Sequence, residues 1–265
     1  MKGHSPEWNH TIDDLSDKDL QNFLVDDEHQ VIYCFIPKVA CTNWKRFMIV
    51  LKHGKPYQDL MSYDFDMVHF GSLLTHLKTF PRTEVKKKLK EYRKFLFVRD
   101  PFVRLISAYR DKLQRYQKWY YETYGKLILR KYGNMPNPPR TKEEMIASGV
   151  HPSFHSFIKY VIDPGTKSLD YHWRQMHRIC HPCTIQYDFT GHQETLHEDS
   201  EQLLKMLNLE NDIKFPSAYP NVTTSNFVPD WFKTVSLKER RKLYEIYKMD
   251  FKLFGYPKPI ELLGD

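Results

Sequence analysis

Two short apolar segments, each followed at once by a helical pattern, constrain the fold more than any other feature of this chain. The first is VIYCFI at residues 31–36, and the second is FLFV at residues 95–98, followed by RDP at residues 99–101. Continuous β-branched and aromatic runs of this length are typical of strands buried on both faces, as in a parallel sheet. The helical spacing behind them is carried by Trp44, Phe47, Met48 and Leu51, and by Phe102, Leu105, Ile106 and Tyr109.

Further elements repeat this alternation. Helical spacing recurs at residues 154–161 and 196–207, and a capping box at Ser236 and Glu239 opens a helix near the C-terminus. Residues 184–190 alternate like a strand. Strands that alternate with helices predict an α/β fold, with a central, mostly parallel sheet flanked by helices.

The segments between these elements are polar. Residues 84–93 predict a very basic amphipathic helix, and residues 1–30 a loosely ordered lead-in with one short helix. Prolines at residues 133–142 and 216–230 indicate exposed loops.

Charge and length narrow the class of protein. The chain has 265 residues and a formal net charge of +7, from 40 Lys and Arg against 33 Asp and Glu. Mixed charges with 15% aromatic residues argue against intrinsic disorder. The positive excess favours an anionic partner, whether nucleic acid, phosphorylated cofactor, acidic polysaccharide or membrane surface. Because no stretch approaches the roughly 18 apolar residues of a membrane span, we expect a soluble protein, or the soluble portion of a longer one.

Both predicted strand-to-helix loops carry basic residues. In a parallel α/β sheet, ligands bind beyond the carboxyl ends of the strands, and helix N-termini favour phosphate or sulfate. The first loop offers Lys38, with Lys45 and Arg46 behind it, and the second offers Arg99, with Ser107 in the following helix. Two such sites suit a ligand with two separated anionic groups. The alternative is ordinary turns, with solvated basic side chains and a small serine at a helix crossing.

Four longer stretches carry a family resemblance. They are IPKVACTNWKR (36–46), FLFVRDPFVRLISAYRDK (95–112), YHWRQMHRICHPCTIQYDFTGHQETLHED (171–199) and DFKLFGYPKP (250–259). Together, and in this order, they resemble the Golgi carbohydrate sulfotransferases, in the branch of the chondroitin, dermatan, HNK-1 and GalNAc 4-O-sulfotransferases. The resemblance implies a P-loop-like sulfotransferase fold, with a lead-in at residues 1–23 and a catalytic domain at residues 24–265.

The resemblance also implies a reaction, in which 3′-phosphoadenosine 5′-phosphosulfate donates a sulfuryl group to a sugar hydroxyl, with no metal ion. Lys38 would stabilise charge on the departing phosphate, and the loop behind it would hold the 5′-phosphate. Arg99 and Ser107 would bind the 3′-phosphate, since the arginine fork suits phosphate oxygens. The implied donor-binding residues are Lys38, Val39, Ala40, Cys41, Thr42, Asn43, Trp44, Arg99 and Ser107.

The acceptor hydroxyl needs a base. His172 is the first candidate because a neutral imidazole accepts a proton near pH 7, and Glu194 is the second. The alternative for His172 is a structural or exposed histidine. With Lys38, these two complete the predicted catalytic residues.

The cysteines allow two interpretations. Cys180 and Cys183 form a C-x-x-C, which is half of a zinc knuckle. There is no second C-x-x-C, and Cys34 and Cys41 lie on or just after a buried strand, where cysteine is often a core residue. A disulfide in an oxidising lumen is therefore expected over zinc, with its pairing undetermined.

The implied acceptor is an acidic glycosaminoglycan or a glycoprotein glycan, and no nucleic acid is expected. The basic run at residues 86–90 either guides this polysaccharide or is one solvated helix face. The family works in the Golgi lumen on an N-terminal membrane anchor, which the printed sequence lacks, so we expect membrane attachment only through such an anchor. Sequons at Asn9 and Asn221 allow N-glycans or arise by chance.

Two other functions remain open on these residues. A P-loop kinase-like phosphotransferase is disfavoured, because the first loop lacks the glycines of the G-x-x-x-x-G-K-[ST] motif and no carboxylate motif for Mg²⁺ is evident. A non-catalytic module that binds heparin-like polyanions would share the basic charge but would not bind the nucleotide donor.

Overall fold

The computed structural model describes residues 11–166, 168–216 and 228–264. Within them the chain forms two compact units. Unit 1 contains residues 11–99 and 176–216, and unit 2 contains residues 100–166, 168–175 and 228–264. Asn9, Asn221 and most of the predicted loop at 216–230 lie outside the described residues.

Unit 1 contains a four-stranded sheet in the order β1-β2-β3-β4. Its strands are β1 (Phe23–Asp26), β2 (Val31–Cys34), β3 (Arg93–Val98) and β4 (Phe189–His192). β1 is antiparallel to β2, whereas β2 is parallel to β3 and β3 to β4. The helices of unit 1 are α1 (Cys41–His53), α2 (Phe65–Phe70), α3 (Arg82–Glu91), α9 (His177–Cys180) and α10 (Leu196–Met206). The predicted α/β class, with a mostly parallel sheet flanked by helices, is confirmed.

The regular secondary structure in the described residues of unit 2 is helical, without strands. Its helices are α4 (Pro101–Tyr109), α5 (Lys118–Tyr120), α6 (Lys126–Tyr132), α7 (Lys142–Ser148), α8 (Phe154–Ile162), α11 (Val228–Phe232), α12 (Leu237–Leu253) and α13 (Ile260–Leu263). Their core is aromatic, with the Tyr109 ring stacked 5.7 Å from Phe157 and Trp173 fully buried. In the three described ranges, no helix combines the length and the hydropathy needed to cross a membrane.

Several predicted boundaries were wrong. β1 lies inside the predicted lead-in, where only four buried residues form the strand. The predicted strand at 184–190 begins only at Phe189, because the amides of Thr184 and Ile185 turn back to the His181 carbonyl at 2.9 and 2.8 Å. The basic helix ends at Glu91, since the Arg93 amide enters the sheet region and donates to the Gln30 carbonyl at 2.9 Å. Residues 228–230, predicted as loop, begin α11.

Aromatic packing fixes α1 on the sheet. The Trp44 indole of α1 stacks 4.4 Å from the Phe97 ring of β3 and lies 4.2 Å from Phe215. Gly191 of β4 leaves room for Phe97, because a Cβ at this glycine would come within 2.3 Å of the phenyl ring. Aromatic pairs contribute about 0.5–1.5 kcal/mol each beyond the area that they bury. This packing holds the start of α1 close to the end of β3.

A disulfide joins Cys34, the last residue of β2, to Cys180, the last residue of α9. The predicted disulfide is therefore present, and its pairing is now defined. Because Cys180 is bonded to Cys34, the C-x-x-C pattern does not supply two thiolates for zinc. Among the described residues, no group of three or more His, Cys, Asp or Glu side chains is placed to hold a metal ion.

Candidate active site

The loop between β2 and α1 has an unusual backbone. Lys38 and Ala40 adopt left-handed conformations, with φ of 73° and 47°, although neither is glycine. Such conformations are costly for L-residues and cluster at ligand-binding sites. Ala40 is the N-cap of α1 and offers no side-chain cap to its amides. The positive end of the α1 dipole therefore meets a strained loop that carries a lysine, which suits a bound phosphate or sulfate.

Three of the predicted donor-binding residues between Lys38 and Trp44 are buried. Val39 and Trp44 are fully excluded from solvent, and Asn43 is 2% exposed. The Asn43 side chain accepts a hydrogen bond from Arg46 at 3.0 Å, and the amides of Asn43 and Trp44 donate to the Ala40 carbonyl. Val39 and Trp44 therefore have no accessible surface in this structure that could meet a donor. The half-exposed residues of this loop are Lys38, Ala40, Cys41 and Thr42.

The side chains of Lys45 and Arg46 are buried and make contacts within the protein. Arg46 donates to the Tyr63 carbonyl at 2.8 Å, and the Lys45 ammonium lies 4.0 Å from the centre of the Phe35 ring. Burial lowers the pKa of Lys45, although nearby Cys41 opposes the shift. Both residues are more than nine-tenths buried, so they do not present their cations to solvent at the loop.

The structure brings Lys38 and Arg99 together. Arg99 directly follows β3 and is 5% exposed, and its Nη1 donates to the Lys38 carbonyl at 3.1 Å. This contact arises because β2 and β3 are parallel neighbours, so the residues beyond their carboxyl ends share one edge of the sheet. The two predicted anion-binding loops are therefore coupled through one hydrogen bond.

Glu194 lies at the same edge of the sheet. It is exposed and falls between β4 and α10. β4 is parallel to β3, and the Gln193 amide donates to the Val98 carbonyl at 2.8 Å. Topology thus places the second predicted base on the side of the sheet that carries Lys38 and Arg99.

The start of α4, in unit 2, is arranged differently. The Asp100 carboxylate accepts hydrogen bonds from the amides of Phe102 and Val103, at 2.8 and 2.9 Å, and Pro101 occupies the first turn. These amides are already capped, so a phosphate at this end must rely on side chains. Ser107 lies one turn further along α4 and is half-exposed.

His172, also in unit 2, belongs to a polar network. Its Nδ1 lies 2.7 Å from an Asp170 oxygen and 2.9 Å from the Tyr120 hydroxyl. Burial opposes ionisation of Asp170, but hydrogen bonds from the His172 side chain and amide outweigh it and lower the pKa of the carboxyl. Burial raises the pKa of Tyr120, and the charge of Asp170 adds to the effect, so Tyr120 stays a neutral phenol. Asp170 therefore fixes the orientation of the imidazole ring.

Arg104 of α4 holds the segment around His172. It is 1% exposed and donates to the carbonyls of Tyr171 and Arg174, both at 2.7 Å. The Tyr247 hydroxyl donates to the Trp173 carbonyl in the same segment. Arg104 is thus a structural clamp for residues 171–174.

His69 was not among the predicted site residues. Its Nε2 lies 3.1 Å from Oγ1 of Thr42, the second residue of α1. The contact depends on how α2 packs against α1, and a single histidine in a polar stretch gives no local signal of it.

Comparison with known proteins agrees with these observations. A model of the sulfotransferase family matches residues 21–257. Carbohydrate sulfotransferase 12 of Xenopus laevis is 45% identical, and that of Mus musculus 46%, with 98% of this chain and 66% of each relative covered. Carbohydrate sulfotransferase 11 of Rattus norvegicus is 39% identical, with 92% of this chain and 70% of that protein covered.

The relatives are longer than this chain. The chain spans 66% of the length of the two carbohydrate sulfotransferase 12 relatives. No solved structure matches it significantly. The family match and the relatives together show that the chain belongs to the sulfotransferase family, among the carbohydrate sulfotransferases.

Proposed function

We propose that this chain transfers a sulfuryl group from 3′-phosphoadenosine 5′-phosphosulfate to a sugar hydroxyl. The observation that carries the proposal is the hydrogen bond from Arg99 to the Lys38 carbonyl, which joins two basic loops at one sheet edge. The uncapped start of α1 lies directly behind Lys38. These features fit a donor with a 5′-phosphosulfate and a 3′-phosphate. For residues 24–265 we propose a P-loop-like sulfotransferase fold.

In the proposed reaction, the acceptor oxygen bonds to sulfur as the bond from sulfur to the bridging oxygen breaks. The electron pair passes to the 5′-phosphate, and adenosine 3′,5′-bisphosphate leaves. By analogy with phosphoryl transfer, positioning and charge stabilisation supply most of the rate enhancement. Lys38 would stabilise the charge on the departing oxygen, while Arg99 and Ser107 would bind the 3′-phosphate. His172 and Glu194 stay predictions for the base.

The proposed acceptor is the 4-position of N-acetylgalactosamine in chondroitin or dermatan. The net charge of +7 supports an acidic polysaccharide. On α3, Lys86, Lys87 and Lys90 are exposed, whereas Lys88 is buried and paired with Asp27. We propose that the exposed lysines guide the polysaccharide.

The proposed location is the Golgi lumen, where carbohydrate sulfotransferases usually reside. The disulfide between Cys34 and Cys180 supports this proposal, because structural disulfides persist in oxidising compartments.

One titration tests the donor site. Calorimetry with adenosine 3′,5′-bisphosphate, in the absence of Mg²⁺, is expected to show binding to the purified chain. Arg99→Ala should weaken binding about tenfold to a hundredfold, as for loss of a hydrogen bond to a charged group. Lys248→Ala, at an exposed ion pair with Glu245, is the control and should bind normally. No binding by the wild type would sink the proposal.

The same measurement separates the alternatives. A kinase-like enzyme would require ATP with Mg²⁺, and a polyanion-binding module would bind heparin but not the nucleotide. An assay with desulfated chondroitin, desulfated dermatan and an HNK-1 precursor glycan then identifies the acceptor. Formation of 4-sulfated N-acetylgalactosamine is expected, and sulfation of the HNK-1 precursor alone would contradict the proposed acceptor.

A further inference from the structure

The first turn of α1 is in contact with a histidine from another element. His69, near the end of α2, places Nε2 at 3.1 Å from the Thr42 hydroxyl. Thr42 is four residues beyond Lys38 and is one of the half-exposed residues of the donor loop. The ring of His69 thus contacts a side chain of that loop directly.

The surroundings of His69 leave the ring accessible but partly shielded from water. The ring is half-exposed, and Phe65 stacks on it with the ring centres 4.3 Å apart. Phe65 is 54% exposed and Phe70 is 78% exposed. Apolar ring faces beside an imidazole offer a surface for the carbon face of a sugar ring.

The position of His69 is built into unit 1. Asp64 caps α2 by accepting from the Met67 amide at 2.8 Å, and Val68 is 1% exposed. The segment before α2 is tied to α1, because Arg46 donates to the Tyr63 carbonyl at 2.8 Å. The imidazole is therefore held near the start of α1 by the residues that precede it in the chain.

We propose that His69 is the base that takes the proton from the acceptor hydroxyl. This proposal rests on the proposed sulfuryl transfer. The acceptor oxygen forms its bond to sulfur, its proton passes to Nε2 of His69, and the electron pair of the broken bond goes to the 5′-phosphate. The imidazolium then loses its proton to water. A positioned imidazole contributes about 10²- to 10⁴-fold to such a step.

The hydroxyl of Thr42 couples donor binding to this base. A threonine hydroxyl has one proton to donate. In the tautomer with its proton on Nδ1, His69 accepts the Thr42 proton at Nε2, and it loses this bond when Thr42 donates to the 5′-phosphate instead. Donor binding thus prepares His69 to receive the proton of the acceptor.

The test uses His69→Asn and His69→Gln in the full chain, assayed with donor and desulfated chondroitin. We expect kcat to fall at least 100-fold in both variants, while adenosine 3′,5′-bisphosphate binds within threefold of wild type by calorimetry. The fall of kcat at acidic pH should disappear. Added imidazole should restore part of the activity of His69→Ala.

His53→Asn is the matched control. His53 lies in the same helix as Thr42, about 16 Å further along it, and its Nδ1 contacts the Tyr63 hydroxyl at 2.9 Å. We expect this variant to keep its activity. His172→Asn and Glu194→Gln, assayed in parallel, should lose less kcat than the His69 variants.

The outcomes separate this inference from the function on which it rests. A wild-type chain that neither binds the nucleotide nor sulfates any acceptor overturns both. An active wild type with His69→Asn above one tenth of its kcat overturns the role of His69 alone. So does a loss of nucleotide affinity in proportion to kcat, because His69 would then act only by holding Thr42.

Discussion

The helices α1 and α4 both follow strands of the parallel sheet, yet their N-termini are built in opposite ways. At α1 the N-cap is Ala40, in a left-handed conformation and with no side-chain cap. At α4 the N-cap is Asp100, whose carboxylate accepts from two amides of the first turn. The first end keeps its positive potential for a ligand, and the second end is neutralised by its own chain.

Because of this difference, the two strand-to-helix segments, although similar in sequence pattern, differ in how they can bind an anion. A helix end filled by a carboxylate gains stability and loses affinity for anions. An open end in a strained loop costs stability, which the protein recovers through the aromatic packing of Trp44. In the proposed reaction, side chains such as Arg99 would therefore bind the 3′-phosphate, whereas the 5′-phosphosulfate would meet the backbone at the start of α1.

The largest expected effect is at the open end. Lys38→Ala removes the cation that would stabilise the departing phosphate, so kcat should fall about 10²- to 10³-fold. Lys52→Ala, at the other end of α1, is the control, since its ammonium is exposed and donates to the Leu73 carbonyl at 3.0 Å. Sulfuryl-transfer kinetics measure both. Equal activity in the two variants would remove the distinction between the ends of α1.

Making the open end resemble the closed one should weaken its affinity for anions. Ala40→Asp places a carboxylate at the N-cap of α1, as Asp100 does at α4, and repels the phosphate. We expect the Kd for adenosine 3′,5′-bisphosphate to rise at least tenfold, about 1.4 kcal/mol. Ala40→Asn has nearly the same shape without the charge and should bind more tightly than Ala40→Asp. Indistinguishable affinities would contradict the electrostatic interpretation.

Opening the closed end should affect stability rather than chemistry. Asp100→Ala leaves the amides of Phe102 and Val103 without their cap, which costs about 0.5–2 kcal/mol of unfolding free energy. Asp100→Asn keeps the capping oxygen and should be close to wild type. Urea denaturation gives both values. A stable Asp100→Ala variant would show that the cap contributes little.

The smallest expected effect is on the pH dependence of unfolding stability. It arises from Asp170, next to the segment at residues 171–174 that Arg104 of α4 holds. Because the folded-state pKa of Asp170 lies below its ordinary value of 3.8, ionised Asp170 stabilises the fold above that pH. This stabilisation is lost as the pH falls through the folded-state pKa. Asp170→Asn should therefore be less stable than wild type at pH 6, and the difference should narrow at pH 3. A difference that is constant across this range, in urea midpoints, would exclude the carboxylate as its source.

The sequence predicted elements whose signal is local. The runs at β2 and β3 are continuous and apolar, and apolar residues recur every three to four positions in the helices that follow. Both strand-helix pairs were therefore recognised. β1 escaped detection because four residues between polar neighbours carry too little pattern. The strand at β4 was placed too early, since the turn after His181 depends on backbone hydrogen bonds.

The placement of Lys38 and Arg99 beyond the carboxyl ends of β2 and β3 was predictable, because each residue follows its strand closely in the sequence. Burial of Lys45, Arg46 and Arg104 was not, because a charged residue gives no sign in the sequence that a carbonyl or ring will receive it. The contact between His69 and Thr42 and the pairing of Cys34 with Cys180 depend on tertiary packing between distant segments.

The disulfide between Cys34 and Cys180 also has a mechanical consequence. It closes a covalent ring across a sequence separation of 146 residues, which contains every helix from α1 to α9. A stretching force applied at residues 11 and 264 can extend only the chain outside this ring. The chain between Cys34 and Cys180, about 500 Å long at about 3.4 Å per residue, cannot be extended until the disulfide is reduced. Pulled in oxidising and in reducing buffer, the protein should therefore unfold to two different lengths.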